Sequence, residues 1–311
     1  MEHVPCDLCG ADDAEVLYVL PEVGFGLPGE FPIVRCRLCG LIYVTPRPSA
    51  AEIGAYYPSA YGPYRCAVED EPWIAMRWAR RQKLVARLRR VQRITGLRQD
   101  RLLDVGCATG LFIHEAARHG WQVEGVDISP DAAAYARKRF GLTVHQGTLE
   151  SVDLPAASYD VITFGDVIEH TFSPLGTLRR ARHLLRPGGW VILTIPNWDS
   201  WDAALFGPHW NGFDVPRHLY VFTRPVMVRA LETAGFDSVG HRCYFSGYFA
   251  FRASLRRWLR TRWPQAGWRP WLERVLDVPG IRFPLEPLFW LADRLGRGPA
   301  ITFWARRLGA R

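Results

Sequence analysis

The sequence predicts an α/β fold built on a parallel sheet covered by helices on both faces. Three observations point there. Between residues 101 and 195, short apolar runs alternate with helix-patterned segments, the rhythm of βαβ units. The first run, "RLLDVGCATGLF" (101–112), passes directly into a glycine-rich loop and an apolar helix start. The 311 residues are 48% hydrophobic and 23% charged, which is enough apolar material to cover such a sheet.

In chain order, the first 46 residues hold two knuckles, "PCDLCG" and "RCRLCG". They place Cys6 and Cys9 some 26 residues before Cys36 and Cys39. In each C-x-x-C-G the glycine lets backbone amides turn toward thiolate. Four thiolates suit a tetrahedral zinc ion in a closed, structural site; an iron site or a disulfide scaffold is the alternative. Cys66, Cys107 and Cys243 are isolated and read as structural. Residues 46–72 are rich in Pro, Gly and Tyr and read as a linker or lid, with Tyr61 and Tyr64 as candidate substrate contacts. Residues 73–94 read as a helix that Gly96 ends, with Leu84, Leu88 and Val91 at helical spacing. It carries eight basic residues from Arg77 to Arg93 and no acid.

"RLLDVG" is a strand, "LFIHEAARHG" a helix and "WQVEGVD" a strand. Ser129 caps a helix with Pro130 in its first turn, and Gly141 closes it. "LTVHQG", "YDVITFG" and "WVILTIP" are strands, the last preceded by a helix that a Pro-Gly-Gly turn closes. Residues 196–224 form an aromatic-rich loop or short helices, "PVMVRALETAGF" a helix, "DSVGHRCYF" a sixth strand and "PAITFWARR" a final one. Residues 246–298 form a helical excursion with ten arginines against four acids, a net of +6. In it Tyr248, Phe251, Leu255 and Leu259 share one stripe and Arg252, Arg256 and Arg260 another. A basic, Trp-rich amphipathic helix of this kind can lie on an anionic membrane surface. Its apolar stripe can equally pack on the core or a second subunit.

The glycine loop discriminates among ligands. A nucleoside-triphosphate loop needs a lysine and a Ser/Thr after its last glycine, where this chain has Leu111 and Phe112. A dinucleotide loop needs G-x-G-x-x-G; here the pattern is D-x-G-x-x-x-G, and Asp104 would repel a pyrophosphate. S-adenosylmethionine has no phosphate and carries an ammonium and a sulfonium, so it suits the acid. Asp127, which ends "VEGVD" 23 residues on, is placed to accept from both ribose hydroxyls, and "HQGTLESVDLP" follows where an adenine would lie.

On these residues the chain resembles the class I S-adenosylmethionine-dependent methyltransferases. The match includes Asp104, Gly106, Gly110, Asp127, the Gly147–Leu149 turn and "RPGG" before "WVILTIP", over about half the chain. The resemblance implies a Rossmann-like sheet of seven strands, the last antiparallel, with the excursion inserted before it. The expected cofactor set is Asp104, Gly106, Cys107, Ala108, Gly110, Phe112, Asp127, Ile128, Gly147, Thr148, Leu149, Phe164 and Gly165. Some methyltransferases of antibiotic, deoxysugar and polysaccharide pathways look alike in having a zinc-ribbon front end. The expected organisation is a ribbon over 1–46, a linker and basic helix over 47–95, the core over 96–245 and 299–311, and the excursion over 246–298. Removing the zinc is expected to unfold the N-terminal lobe while leaving cofactor binding largely intact.

The fourth strand of the alternating region runs into "FGDVIEH". It lacks the N/D-P-P-Y signature of enzymes that methylate exocyclic amines of bases, and there is no Pro-Cys nucleophile outside the Pro5-Cys6 knuckle. The segment resembles the "EH" of ubiquinone-pathway O-methyltransferases and small-molecule C-methyltransferases, so Glu169 and His170 are candidates for substrate orientation and general base. In "GPHWNGFDVPRHLYVFT", His209, Asp214, Arg217 and His218 lie at the carboxyl edge of the sheet, where open α/β folds bind ligands. There His218 is a second candidate base, His209 and Asp214 are candidate substrate contacts, and Arg217 is a candidate anion binder. Both clusters can also be structural, and His183 reads as a solvated helix residue. His170 is the favoured base, because the fourth-strand end borders the transferring methyl.

The net charge is +8, with Lys83 and Lys138 the only lysines, and it suggests anionic partners. The acceptor-site residues argue against the common base-methylating types, which leaves RNA methylation as the second enzymatic reading. A non-catalytic interaction module is a third. No apolar run reaches the roughly 18 residues of a membrane helix, and the first residues do not read as a signal peptide. The expectation is a cytosolic enzyme, peripheral to a membrane if the excursion meets one. Its acceptor is a small molecule, sugar or lipid-linked intermediate.

Overall fold

The computed structural model describes residues 1–58, 73–244 and 247–309. The N-terminal segment forms antiparallel strands β1 (Ala14–Pro21), β2 (Glu30–Cys36) and β3 (Ile42–Val44), and a 3-10 turn over Ile53–Tyr56 follows. Tyr61 and Tyr64 lie outside the described residues. Helix α1 (Ile74–Thr95) ends where Gly96 takes up a left-handed conformation, φ 75°.

The alternating region is β4 (Arg101–Val105), α2 (Leu111–Arg118), β5 (Gln122–Asp127), α3 (Pro130–Phe140), β6 (Val144–Gln146), β7 (Tyr159–Gly165), α4 (Pro174–Leu184) and β8 (Leu185–Pro196). Ser129 and Ser173 cap α3 and α4 by accepting from the amides of Ala132 and Gly176, each with proline in the first turn. That placement satisfies otherwise orphaned donors. Then come α5 (Trp201–Phe206), β9 (Tyr220–Val221), α6 (Arg224–Thr233), β10 (Asp237–Arg242), α7 (Tyr248–Arg262), α8 (Arg269–Val275), α9 (Glu286–Arg294) and β11 (Ala300–Arg306). The seven-stranded sheet runs β10-β11-β8-β7-β4-β5-β6. Its β6-β5-β4-β7-β8 part is parallel, and β11 is antiparallel to both neighbours. This is the class I methyltransferase sheet, with α7–α9 between its last two strands in sequence.

Two features depart from expectation. The Pro-Gly-Gly turn does not close α4. The helix stops at Leu184, and Pro187, Gly188 and Gly189 already belong to β8. Gly188 donates to the carbonyl of Arg307, and Arg307 donates to that of Gly189, so pairing with the last strand continues through the glycines. The second departure is that the ribbon sheet is not confined to residues 1–46. Its sheet has four strands in the order β1-β2-β3-β9, and β9 comes from the loop after β8. Tyr43 pairs with Tyr220 and Ile42 with Val221. Cys6, Cys36, Leu41 and Tyr43 share one buried cluster with Leu219, Tyr220, Met227 and Leu193. Asp7, inside the first knuckle, accepts from Ser173 Oγ at 2.7 Å and from the Leu175 amide at 2.8 Å at the start of α4. The ribbon is bolted to the carboxyl edge of the sheet rather than tethered beside it.

Candidate functional site

Asp104, Asp127, the Gly147–Leu149 turn and Gly165 stand at the carboxyl ends of β4, β5, β6 and β7. Gly106 has φ 68°, and a Cβ there would lie 2.3 Å from Val167 Cγ2; at Gly110 it would lie 2.9 Å from Ala136 and Leu142. Only glycine lets the backbone pass so close. Asp127 accepts from the Ala108 amide at 2.7 Å on one oxygen and from the Ser129 amide at 2.9 Å on the other. Each oxygen keeps a further lone pair. Burial pushes the carboxyls of Asp104 and Asp127 up. Asp104 Oδ1 accepts from Arg87 at 2.7 Å and from Thr163 at 2.5 Å. Cys107, Phe112, Leu149 and Phe164 are buried and shape the edge from beneath. Ile128, by contrast, is 54% exposed beside Asp127, an aliphatic shelf suited to a flat heterocycle.

A second cluster faces the same edge. Glu169 and His170 form a 3-10 turn just after β7, and the Glu169 carbonyl accepts from the Leu219 amide at 2.9 Å. That bond draws the "RHL" loop alongside. The rings of His170 and His218 meet edge-on with centroids 4.6 Å apart. Ligand atoms of Glu169, His170 and His218 all lie within 4.8 Å of one another. His170 Nδ1 donates to the Arg217 carbonyl at 2.9 Å and lies 3.0 Å from the Tyr57 hydroxyl. His218 Nδ1 donates to the Gly212 carbonyl at 2.8 Å. A carbonyl only accepts, so both Nδ1 atoms carry hydrogen, and in a neutral ring Nε2 is then the nitrogen that presents a lone pair. Burial, then His218, push His170 down to about 3. Glu169 is buried, with no hydrogen-bond partner on either oxygen among the described residues. Burial and Asp166 push its carboxyl well above the ordinary range.

A family model described as a methyltransferase domain matches residues 77–241, more than half of the chain. The chain belongs to this family. As a class I S-adenosylmethionine-dependent methyltransferase it is similar to two curated ubiquinone biosynthesis O-methyltransferases. The one from Cereibacter sphaeroides is 37% identical over 153 residues, 46% of this chain and 62% of that protein. The one from Burkholderia vietnamiensis is 31% identical over 144 residues, 44% and 61% respectively. The match thus spans about three fifths of these relatives' length. Among solved structures, the [4+2]-cyclase SpnF shares the fold with a TM-score of 0.52 at 19% identity, over 85% of this chain and 98% of that one.

For this methyltransferase the structure revises the expected substrate contacts. Arg217 is 1% exposed and spends all five N–H groups internally. They reach Asp214 twice, Glu22, and the carbonyls of Tyr56 and Val23. No donor remains for a substrate anion, so Arg217 and Asp214 form a brace that joins the ribbon, the 53–57 segment and the His218 loop. His209 stands apart on the turn Gly207–His209. Burial and Arg257 push it down, and it makes no hydrogen bond to the histidine pair among the described residues.

Arg87 is the site residue that sequence reasoning missed. It reaches from α1 to Asp104 and lies 3.7 Å over the Phe112 ring, facing the glycine loop. Eight basic residues on one helix hid it, because only the tertiary fold selects one of them.

The four ribbon cysteines converge. Cys6 and Cys39 sulfurs are 3.3 Å apart, Cys9 and Cys36 3.5 Å, and all four lie within 4.8 Å of one another. A tetrahedral ion with bonds of about 2.3 Å sets sulfurs about 3.8 Å apart. Gly10 and Gly40, at φ 75° and 79°, close equivalent turns by donating to the carbonyls of Cys6 and Cys36. The donor set and spacing fit a structural metal.

Proposed function

We propose that this methyltransferase moves a methyl group from S-adenosylmethionine to a hydroxyl, or an acidic carbon, of a small-molecule, sugar or lipid-linked acceptor, with His218 as general base. The carrying observation is that the cofactor edge and the Glu169–His170–His218 cluster open on the same end of the sheet. The named O-methyltransferase relatives support a hydroxyl acceptor.

S-adenosylmethionine supplies an electrophilic methyl on a good leaving group, so alignment contributes most of the acceleration, roughly 7–11 kcal/mol. Asp127 would take the ribose hydroxyls on its free lone pairs, Ile128 would carry the adenine, Asp104 the ammonium and Arg87 the carboxylate. His218 would receive the acceptor's proton at Nε2 while Gly212 holds its Nδ1–H. Against its burial, the hydrogen bond from Arg217 and then the charge of His218 hold the Asp214 carboxyl down, so the imidazolium forms beside negative charge. His170, pushed down to about 3, stays neutral and orients. This reverses the order of the two histidines expected from strand position alone. Glu169, holding its proton, would donate to the acceptor oxygen. Cys6, Cys9, Cys36 and Cys39 would hold one zinc, whose role is structural.

The test is release of S-adenosylhomocysteine with phenolic and sugar acceptors. His218→Ala should lower turnover by about 10²–10⁴-fold, with cofactor affinity kept. His170→Ala should raise the acceptor KM more than it lowers turnover. Full turnover by His218→Ala would remove the base from the reading.

A further inference from the structure

The excursion α7–α9 spends apolar side chains on two sides. Helix α9 turns Phe289 and Ala292 inward. At helical spacing on its other side, Leu288, Leu291 and Leu295 stand 50%, 44% and 55% exposed, with Trp290 at 56%. An amphipathic helix that only closed a core would put polar residues there. Trp268, Trp271 and Phe283 add exposed rings from the same excursion.

The charges sort into two groups. Arg252 and Arg256 pair with Asp277, and Arg260 and Arg269 with Glu273, which ties α7 to α8. Arg262, Arg274, Arg282 and Arg294 are exposed and have no carboxylate partner among the described residues. Three of them lie beside a ring: Arg262 by Trp263, Arg282 by Phe283, and Arg294 3.9 Å over Trp290.

We infer that this face docks on an anionic lipid surface. Aromatic rings beside free cations match the boundary where headgroup phosphates meet acyl chains. The aliphatic stripe has use for hydrocarbon and none for nucleic-acid phosphates. A second copy would bring a net of +6 against itself. No described helix is long and apolar enough to cross a membrane, so the contact is peripheral.

The test is sedimentation of the full chain with vesicles of phosphatidylcholine, with and without about 30% phosphatidylglycerol. The expected result is binding to the anionic vesicles only, released by high salt. Trp271→Ala with Trp290→Ala should weaken it by about tenfold or more, and so should Arg274→Glu with Arg282→Glu. An unchanged melting temperature would establish that these exposed substitutions leave the fold intact. No binding to anionic vesicles overturns the inference, as does binding that ignores both pairs of substitutions. A self-associated protein that buries this face and ignores vesicles does so too, as does an RNA oligonucleotide that displaces the vesicles while the aromatic variant still binds it.

Discussion

Arg217→Met removes the brace between the ribbon and the His218 loop. Arg217 and Glu22 side chains are 1% and 0% exposed, so the variant leaves the Glu22 carboxylate buried without its counter-charge. Glu22 keeps bonds from the amides of Phe25 and Leu27, which limits the damage, while Asp214 at 25% exposure can turn to water. Removing one partner of a buried pair costs about 3–5 kcal/mol. At about 2–4 °C per kcal/mol for a large domain, the melting temperature should fall by roughly 6–20 °C. The assay is thermal unfolding of wild type, Arg217→Met, Glu22→Gln and the double variant. The double variant should lose less than the sum of the singles, with a coupling on the order of 2 kcal/mol. Arg217→Met melting within about 2 °C of wild type, or a strictly additive cycle, would refute the reasoning.

Three further expectations follow from the same geometry. Asp127→Ala should weaken S-adenosylmethionine binding by about 1.5–3 kcal/mol, read by calorimetry; it also frees the Ala108 and Ser129 amides, so the glycine loop should exchange its amide hydrogens faster. Because His170 is pushed down to about 3, the folded chain binds fewer protons there than the unfolded one, whose histidine titrates near 6.5. This group therefore costs stability as pH falls from about 6.5 toward 3, by up to about 1.4 kcal/mol per pH unit. Glu169, pushed up, contributes the opposite slope above its ordinary value. Urea unfolding at two pH values should show His170→Gln losing less on acidification than wild type, and an equal or greater loss would contradict the assignment. Finally, purified protein should carry about one zinc per chain, and chelation should open residues 207–222 to proteolysis, since β9 is part of the ribbon sheet; a loop as resistant as before would break that link.

Much of this was open to reading in one dimension. D-x-G-x-x-x-G after a strand, an acid at the next strand end and paired C-x-x-C-G knuckles each bind a local conformation to a local chemistry. Gly106 and Gly110 need left-handed backbone, and a single sequence reveals that. Side-chain periods of 2 and 3.6 likewise placed β4–β8 and α1–α4. The boundary at Pro187-Gly188-Gly189 escaped, because pairing with Arg307 on a distant strand overrode the local turn preference.

The sequence by itself determined the strand–helix alternation, the glycine loop with its flanking acids and the cysteine set, because each depends on neighbours a few residues away. The tertiary structure alone decided which arginines matter and for what. Arg87 faces Asp104 while its seven basic neighbours on α1 do not carry that bond, and Arg217, which has the charge of an anion binder, is consumed by Glu22 and Asp214. It also decided that Tyr220–Val221 completes the ribbon sheet. A two-residue strand has no period to read, and a charge declares its role only when the groups within about 4 Å of it are known.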